Sequence, residues 1–253
     1  MIFKSNRRKI DFLVGGTQKG GTSALDYYLR RHPEIGMGRG KELHFFDNEH
    51  IFSKFKINYS RYTKHFDFTS QKKMYGESTP IYLYWSPSCR RIWEYNPNIK
   101  LIFILRNPIT RAFSHWNMEY DRQADKEDFG YAIRNENFRV KEALPLQHRV
   151  YSYTDRGFYS EQIRRFKRFF SDNQLMFIKY EDYKANQENT LINIFKFLGV
   201  DPGSYAFEYK TVHNRKKHAK ISVNDKLYLL DKFKCEVRQV EKLLDWDCSD
   251  WLK

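Results

Sequence analysis

Residues 11–31 read DFLVGGTQKGGTSALDYYLRR, an apolar run broken by glycines and then resumed with helical spacing. The first five residues, DFLVG, are short, apolar and closed by glycine, which predicts a buried strand; residues 22–31 predict a helix. Between them lies a glycine-rich turn. A turn that joins a strand to a helix N-terminus is a ready anion site, because unpaired backbone N–H groups and the positive end of the helix dipole converge there. Gly20 and Gly21 let the backbone close around an anion, Thr22 and Ser23 add hydroxyl donors, and Lys19 supplies a full positive charge. An ordinary glycine-rich turn has no need of a lysine and a Thr-Ser pair at its helix-facing end. A nucleotide-hydrolysing P-loop places lysine directly before the Ser/Thr. Here Gly21 holds that position, so the loop is P-loop-like without being a Walker A motif.

Outward from this unit, residues 34–37 predict a second short strand. LIFIL (101–105) predicts the central strand, apolar throughout and ending at Arg106, and LMFIK (175–179) predicts a fourth. Pro108 opens a helix through Arg111, Ser114 and His115; residues 189–198 form another, stopped at Gly199; SVND (222–225) resembles a capping box opening a last helix. Strands alternating with helices predict an α/β fold, a central parallel sheet flanked by helices. Few prolines and glycines (7 and 12 of 253 residues) and no low-complexity tract leave no linker to cut at, so one domain over residues 1–253 is expected.

The net charge of +14 predicts attraction to anions without choosing among nucleic acid, polysaccharide, membrane surface and phosphorylated cofactor. Basic and aromatic residues interleave at 53–68 and 164–170, as in single-strand binders. In the second stretch, however, Ile163, Phe166, Phe169 and Phe170 recur at helical spacing, which predicts a buried aromatic face instead. No apolar stretch is long enough to span a membrane, and no apolar run follows the basic N-terminus as in a secretory signal. The three cysteines, Cys89, Cys235 and Cys248, lack metal-ligand spacing and fit free thiols. A soluble, cytoplasmic chain with no nucleic-acid or membrane partner is the expectation.

TQKGGTSAL (17–25) resembles the 5′-phosphosulfate loop of sulfotransferases that use 3′-phosphoadenosine 5′-phosphosulfate (PAPS). LIFILRNPITRAFSHW (101–116) resembles their 3′-phosphate motif, with Arg106 and Ser114 matching the two phosphate ligands. KELHFFD (41–47), GESTPIYLY (76–84) and RGFYSEQIRRFKRFF (156–170) are similar to the heparan-sulfate-type branch and its bacterial relatives, so the resemblance covers most of the chain. It implies sulfuryl transfer from PAPS, with adenosine 3′,5′-bisphosphate as product and no metal. It also implies that Lys19, Gly20, Gly21, Thr22 and Ser23 bind the 5′ end and that Glu42 is the general base. His44 is the rival base, since imidazole is the commonest one. Asp47 and Glu77 are candidates for orienting the acceptor or Lys19, and Tyr159 for bordering the cofactor. The basic segment HNRKKHAK (213–220) resembles the loop that closes over the 3′-phosphate, without its glycine, and points to Arg215 and Lys217.

Two departures bear on the acceptor and its neighbourhood. Ser78 stands where heparan-sulfate enzymes often have lysine, and Leu43 stands where many bacterial relatives have proline. With Ser78, a sugar or small-metabolite hydroxyl (or amine) is expected in preference to a long polyanion, read by variable loops at 48–70 and 121–153. Two other classes compete. A P-loop kinase or hydrolase is disfavoured by the displaced lysine and by Arg106 where a metal-holding carboxylate would stand. A noncatalytic basic binding module is disfavoured by two phosphate motifs in order.

Overall fold

Along β1 (Phe12–Gly16) and β4 (Lys100–Leu105) alternate side chains leave opposite faces of the sheet, and both sets are buried and apolar. A strand covered on both faces is what a parallel sheet with helices on each side requires. In this computed structural model, which describes residues 8–205 and 220–253, β1 and β4 are joined by β2 (Ile35–Met37), β3 (Met74–Ser78) and β5 (Leu175–Lys179). All pairings are parallel, in the order β2-β3-β1-β4-β5.

One face packs Phe12, Val14, Ile102 and Ile104 against α1 (Thr22–Arg31) and α5 (Gln187–Leu198). The other packs Leu13, Leu101, Phe103 and Leu105 against α2 (Ser86–Tyr95), α3 (Pro108–Asp121), α4 (Tyr159–Lys167) and α6 (Val223–Leu244). The chain therefore leaves β1 toward one face and the adjacent β4 toward the other. Where neighbouring strands part in this way a crevice opens beyond their carboxyl ends, the usual ligand position of open α/β sheets.

The α/β class, the parallel sheet and the loop between β1 and α1 agree with the sequence reading. Ile163, Phe166 and Phe170 are buried, and Ser222 Oγ caps α6 by accepting from Asp225 N at 3.0 Å. Strand β3 goes unannounced by the hydrophobic pattern, because MYGES carries a glycine and a carboxylate. The glycine is needed: a Cβ at Gly76 would lie 2.5 Å from the Phe12 ring. The carboxylate of Glu77 is fully buried and accepts from Thr79 Oγ1 (2.6 Å) and Tyr62 Oη (3.2 Å). Cys89 and Cys248 are buried free thiols, and Cys235 is exposed. No helix among the described residues is long and apolar enough to cross a membrane.

Candidate active site

The loop after β1 is docked on β4 by its first residue. Thr17 donates its N–H (2.9 Å) and its hydroxyl (2.8 Å) to the same acceptor, the carbonyl of Ile104. The approach is close enough that a Cβ at Gly20 would lie 2.5 Å from that oxygen, so only glycine fits. Gly21, at φ 92°, caps α1 in the left-handed region and turns the chain into the helix. Lys19 shares that backbone region (φ 69°), which is uncommon for a residue with a side chain. Its ammonium reaches Met118 Sδ on α3 at 3.7 Å.

Arg106 leaves the end of β4 and lies against the same loop. It donates Nη1 to Lys19 O and Nε to Thr110 Oγ1, both at 3.1 Å, with its guanidinium 4.9 Å from the centre of the Tyr180 ring. Two turns along α3, Ser114 is half-buried. Tyr159 is fully buried, and its hydroxyl donates to Arg106 O at 2.8 Å, which braces the strand end behind the guanidinium. Lys19, Gly20, Gly21, Thr22, Ser23 and Arg106 thus gather at the carboxyl ends of β1 and β4. Arg215 and Lys217 lie outside the described residues.

The segment after β2 crosses the carboxyl end of β3, where Glu42 N donates to Ser78 O at 3.0 Å. Glu42 and His44 both have positive φ (63° and 50°). Backbone of this kind costs about 1–3 kcal/mol per residue and persists only where the surroundings enforce it. The result is a chain of charges. Lys41 Nζ donates to Glu42 Oε1 at 2.9 Å, and Glu42 Oε2 lies 3.6 Å from His44 Nε2. His44 Nδ1 meets Asp47 Oδ2 at 2.9 Å, and Arg149 Nη1 donates to the same Asp47 oxygen at 2.7 Å.

The electrostatics follow from these pairings. The hydrogen bond to Asp47, then the contact with Glu42, raise the His44 imidazole to about 9 against the opposing effect of burial. Burial of Glu42 would raise its carboxyl, but His44 and Lys41 outweigh burial and bring it down to about 2. Asp47, buried, is likewise held below the usual carboxylate range by His44 and Arg149. Glu77 is the opposite case: burial lifts it to about 7 despite its hydrogen bonds from Thr79, Tyr82 and Tyr62.

Three residues join the site that no motif role had marked. Lys41, which as a lone Lys-Glu pair reads as a surface feature, also donates to Ser23 Oγ at 2.9 Å. Arg156, buried and stacked 4.7 Å from the Tyr84 ring, donates to Gln18 Oε1 and, at 2.6 Å, to Arg149 O. Arg149 comes from an irregular loop and lies 4.4 Å from the centre of the Trp85 ring. Its only sequence signal is position within residues 121–153. Beside it an open cleft of about 410 Å³ is lined by His44, Asp47, Glu49, Trp85, Leu146 and Arg149.

Comparison with known proteins gives this arrangement a family. The sulfotransferase domain family matches residues 9–231. Membrane-associated sulfotransferase kil1 of Dictyostelium discoideum is 26% identical over 94% of this chain, and human heparan sulfate glucosamine 3-O-sulfotransferase 6 is 29% identical over 77%. The chain spans 65% and 53% of their respective lengths. Among solved structures, a sulfotransferase from Alicyclobacillus acidocaldarius superposes with a TM-score of 0.83 at 24% identity, covering 98% of this chain and all of that one. The superposition extends the agreement to the fold, and the domain match covers both the anion loop and the Arg106 strand: the chain belongs to the sulfotransferase family.

Proposed function

We propose that the protein transfers a sulfuryl group from PAPS to a hydroxyl of a small, uncharged acceptor such as a sugar or alcohol. The observation that carries the reading is the meeting of a glycine-rich anion loop and Arg106 at one crevice, with a carboxylate tied to that loop through Lys41. The residues suit a donor with two anionic ends. Loop N–H groups, the α1 N-terminus, Lys19, Thr22 and Ser23 suit the 5′-phosphosulfate; Arg106 and Ser114 suit the 3′-phosphate.

In transfer, the acceptor oxygen forms a bond to sulfur while the bond from sulfur to the 5′-phosphate oxygen breaks, and the electron pair stays on that oxygen. Charge developing there is stabilised by Lys19 and the loop N–H groups. The acceptor proton goes to a carboxylate or imidazole. Asp47 on one nitrogen and Glu42 near the other favour the protonated form of His44, which has no lone pair to offer. This supports Glu42 as the base, with His44 and Asp47 orienting it.

The cleft supports the acceptor class. Arg149 is matched by Asp47, and Glu49 by Arg91 Nη2 at 2.7 Å, so its charges are paired, and Trp85 and Leu146 add apolar surface. The heparan sulfate glucosamine 3-O-sulfotransferase relative, named for a sugar hydroxyl, supports a sugar as one member of this class. The large positive charge of the chain acts at long range and is screened by salt.

Adenosine 3′,5′-bisphosphate at about a hundred times its dissociation constant should stabilise the fold by about 2.7 kcal/mol, read as a raised Tm without added magnesium. Arg106→Ala should remove most of that shift. A shift with magnesium-ATP and none with the bisphosphate would instead indicate a kinase or hydrolase.

Glu42→Gln should keep bisphosphate binding and lower kcat by about two to four powers of ten. If His44→Ala alone behaves in that way, His44 is the base.

The His44 imidazole should titrate near 9 by NMR, and Asp47→Asn should bring the midpoint down, because the anion that favours the protonated form is gone. A wild-type midpoint at the ordinary histidine value of about 6.5 would contradict the triad.

For the acceptor, labelled transfer to sugars, small alcohols and desulfated heparin is measured at low and physiological salt, where the Debye length is about 8 Å. Small hydroxyl compounds should be preferred at physiological salt. Desulfated heparin as best acceptor at both salts would refute the small-acceptor reading.

A further inference from the structure

Lys41 joins the anion loop to the Glu42 segment. Its ammonium lies 2.9 Å from Ser23 Oγ in the first turn of α1 and 2.9 Å from Glu42 Oε1. Ser23 closes the anion loop, so the cation that neutralises the carboxylate stands at the place where an anion on the loop would arrive. We propose that Lys41 is a positioning residue that couples Glu42 to donor binding: an anion on the loop takes the ammonium, already beside Ser23, as its own partner and releases the carboxylate to act as base. The inference rests on the sulfotransfer reading given above.

The need for such a release follows from acid–base chemistry. A general base works best when its pKa lies near the working pH, and a carboxylate pinned between two cations is far from that. Glu42 faces Lys41 and His44 on its own segment. Behind His44 stands Asp47, and Arg149 pairs with Asp47 in turn. From α1 it is approached by Ser23 through Lys41, while the Arg30–Asp26 pair holds the carbonyls of Gly38 and Gly40. From β3 it is held by the Ser78 carbonyl, next in sequence to buried Glu77. Lys41 is the member of this set that also contacts the loop. Its side chain is about one-quarter exposed (26%), which leaves the ammonium room to move.

A phosphosulfate offers Lys41 a competing partner of higher charge, and its own negative charge also opposes ionisation of Glu42. Both effects raise the carboxyl pKa. The acceptor is then deprotonated only when a donor is in place.

The test follows Glu42 by carbon-13 NMR of labelled glutamate, with Glu42→Gln identifying the signal, with and without adenosine 3′,5′-bisphosphate. In the wild type the carboxyl midpoint should rise by about one pH unit or more on binding. Lys41→Met should start higher, move less and bind the bisphosphate about tenfold more weakly, the worth of one charge-assisted hydrogen bond. Lys41→Arg should restore part of both. A lysine of purely structural importance would lower Tm and leave the titration unmoved. If the bisphosphate binds the wild type and Glu42 does not respond, or responds equally in Lys41→Met, the coupling is refuted while the sulfotransfer reading stands. Failure of the bisphosphate to bind the wild type would overturn both.

Discussion

The carbonyl oxygen of Ile104 accepts both the N–H and the hydroxyl of Thr17, and the geometry of the site descends from that double contact. It presses the anion loop onto the end of β4 at a distance only a glycine backbone can meet. Arg106, two residues beyond Ile104, is thereby set against the loop and bonded to Lys19 O. The direction of the sheet supplies the rest: because β1, β3 and β4 run parallel, their carboxyl ends lie side by side. The loop, the Ser78 carbonyl that holds Glu42 and the Arg106 guanidinium therefore meet without any long excursion of the chain.

Much of the site is charge removed from water, which is costly unless each ion finds partners. Asp47 is served by His44 and Arg149, and Glu77 by hydroxyls. Arg156 is buried against neutral acceptors, and burial pulls it down to about 10. Arg111, also buried, donates to the Tyr153 carbonyl and is lowered by burial in the same way. Such groups are poor investments for stability alone. Arg111 and Arg156 lie beside Thr17 and Gln18 of the loop, and Asp47 lines the open cleft, so these groups brace the site.

The fold was legible because its strongest signals are local. LIFIL and LMFIK announce buried strands by composition, and the glycines and Lys19 announce an anion turn by type and order. β3 was not legible, since Gly76 and Glu77 erase the hydrophobic signature that would mark it; Gly76 is explained by Phe12, distant in sequence, and Glu77 by Tyr62 together with nearby Thr79. The site divides along the same line. Arg106 and the loop residues were readable from motifs, and Glu42 and His44 from a resemblance. Arg149 was not, because it sits in irregular chain 102 residues from the Asp47 it holds. Lys41 was visible as a residue and misleading as a pair with Glu42, because its second partner, Ser23, belongs to another element.

The chain of contacts from Gln18 through Arg156 to Arg149 has a bearing on how this scaffold can diverge. Arg149 belongs to the loop that walls the open cleft, and Gln18 to the glycine-rich turn after β1. Arg156 thus ties the backbone of the cleft loop at Arg149 to the turn after β1. The loop is thus constrained from Arg149 onward and open to change before it. Leu144 and Leu146, exposed and ahead of that tie, can vary without disturbing it.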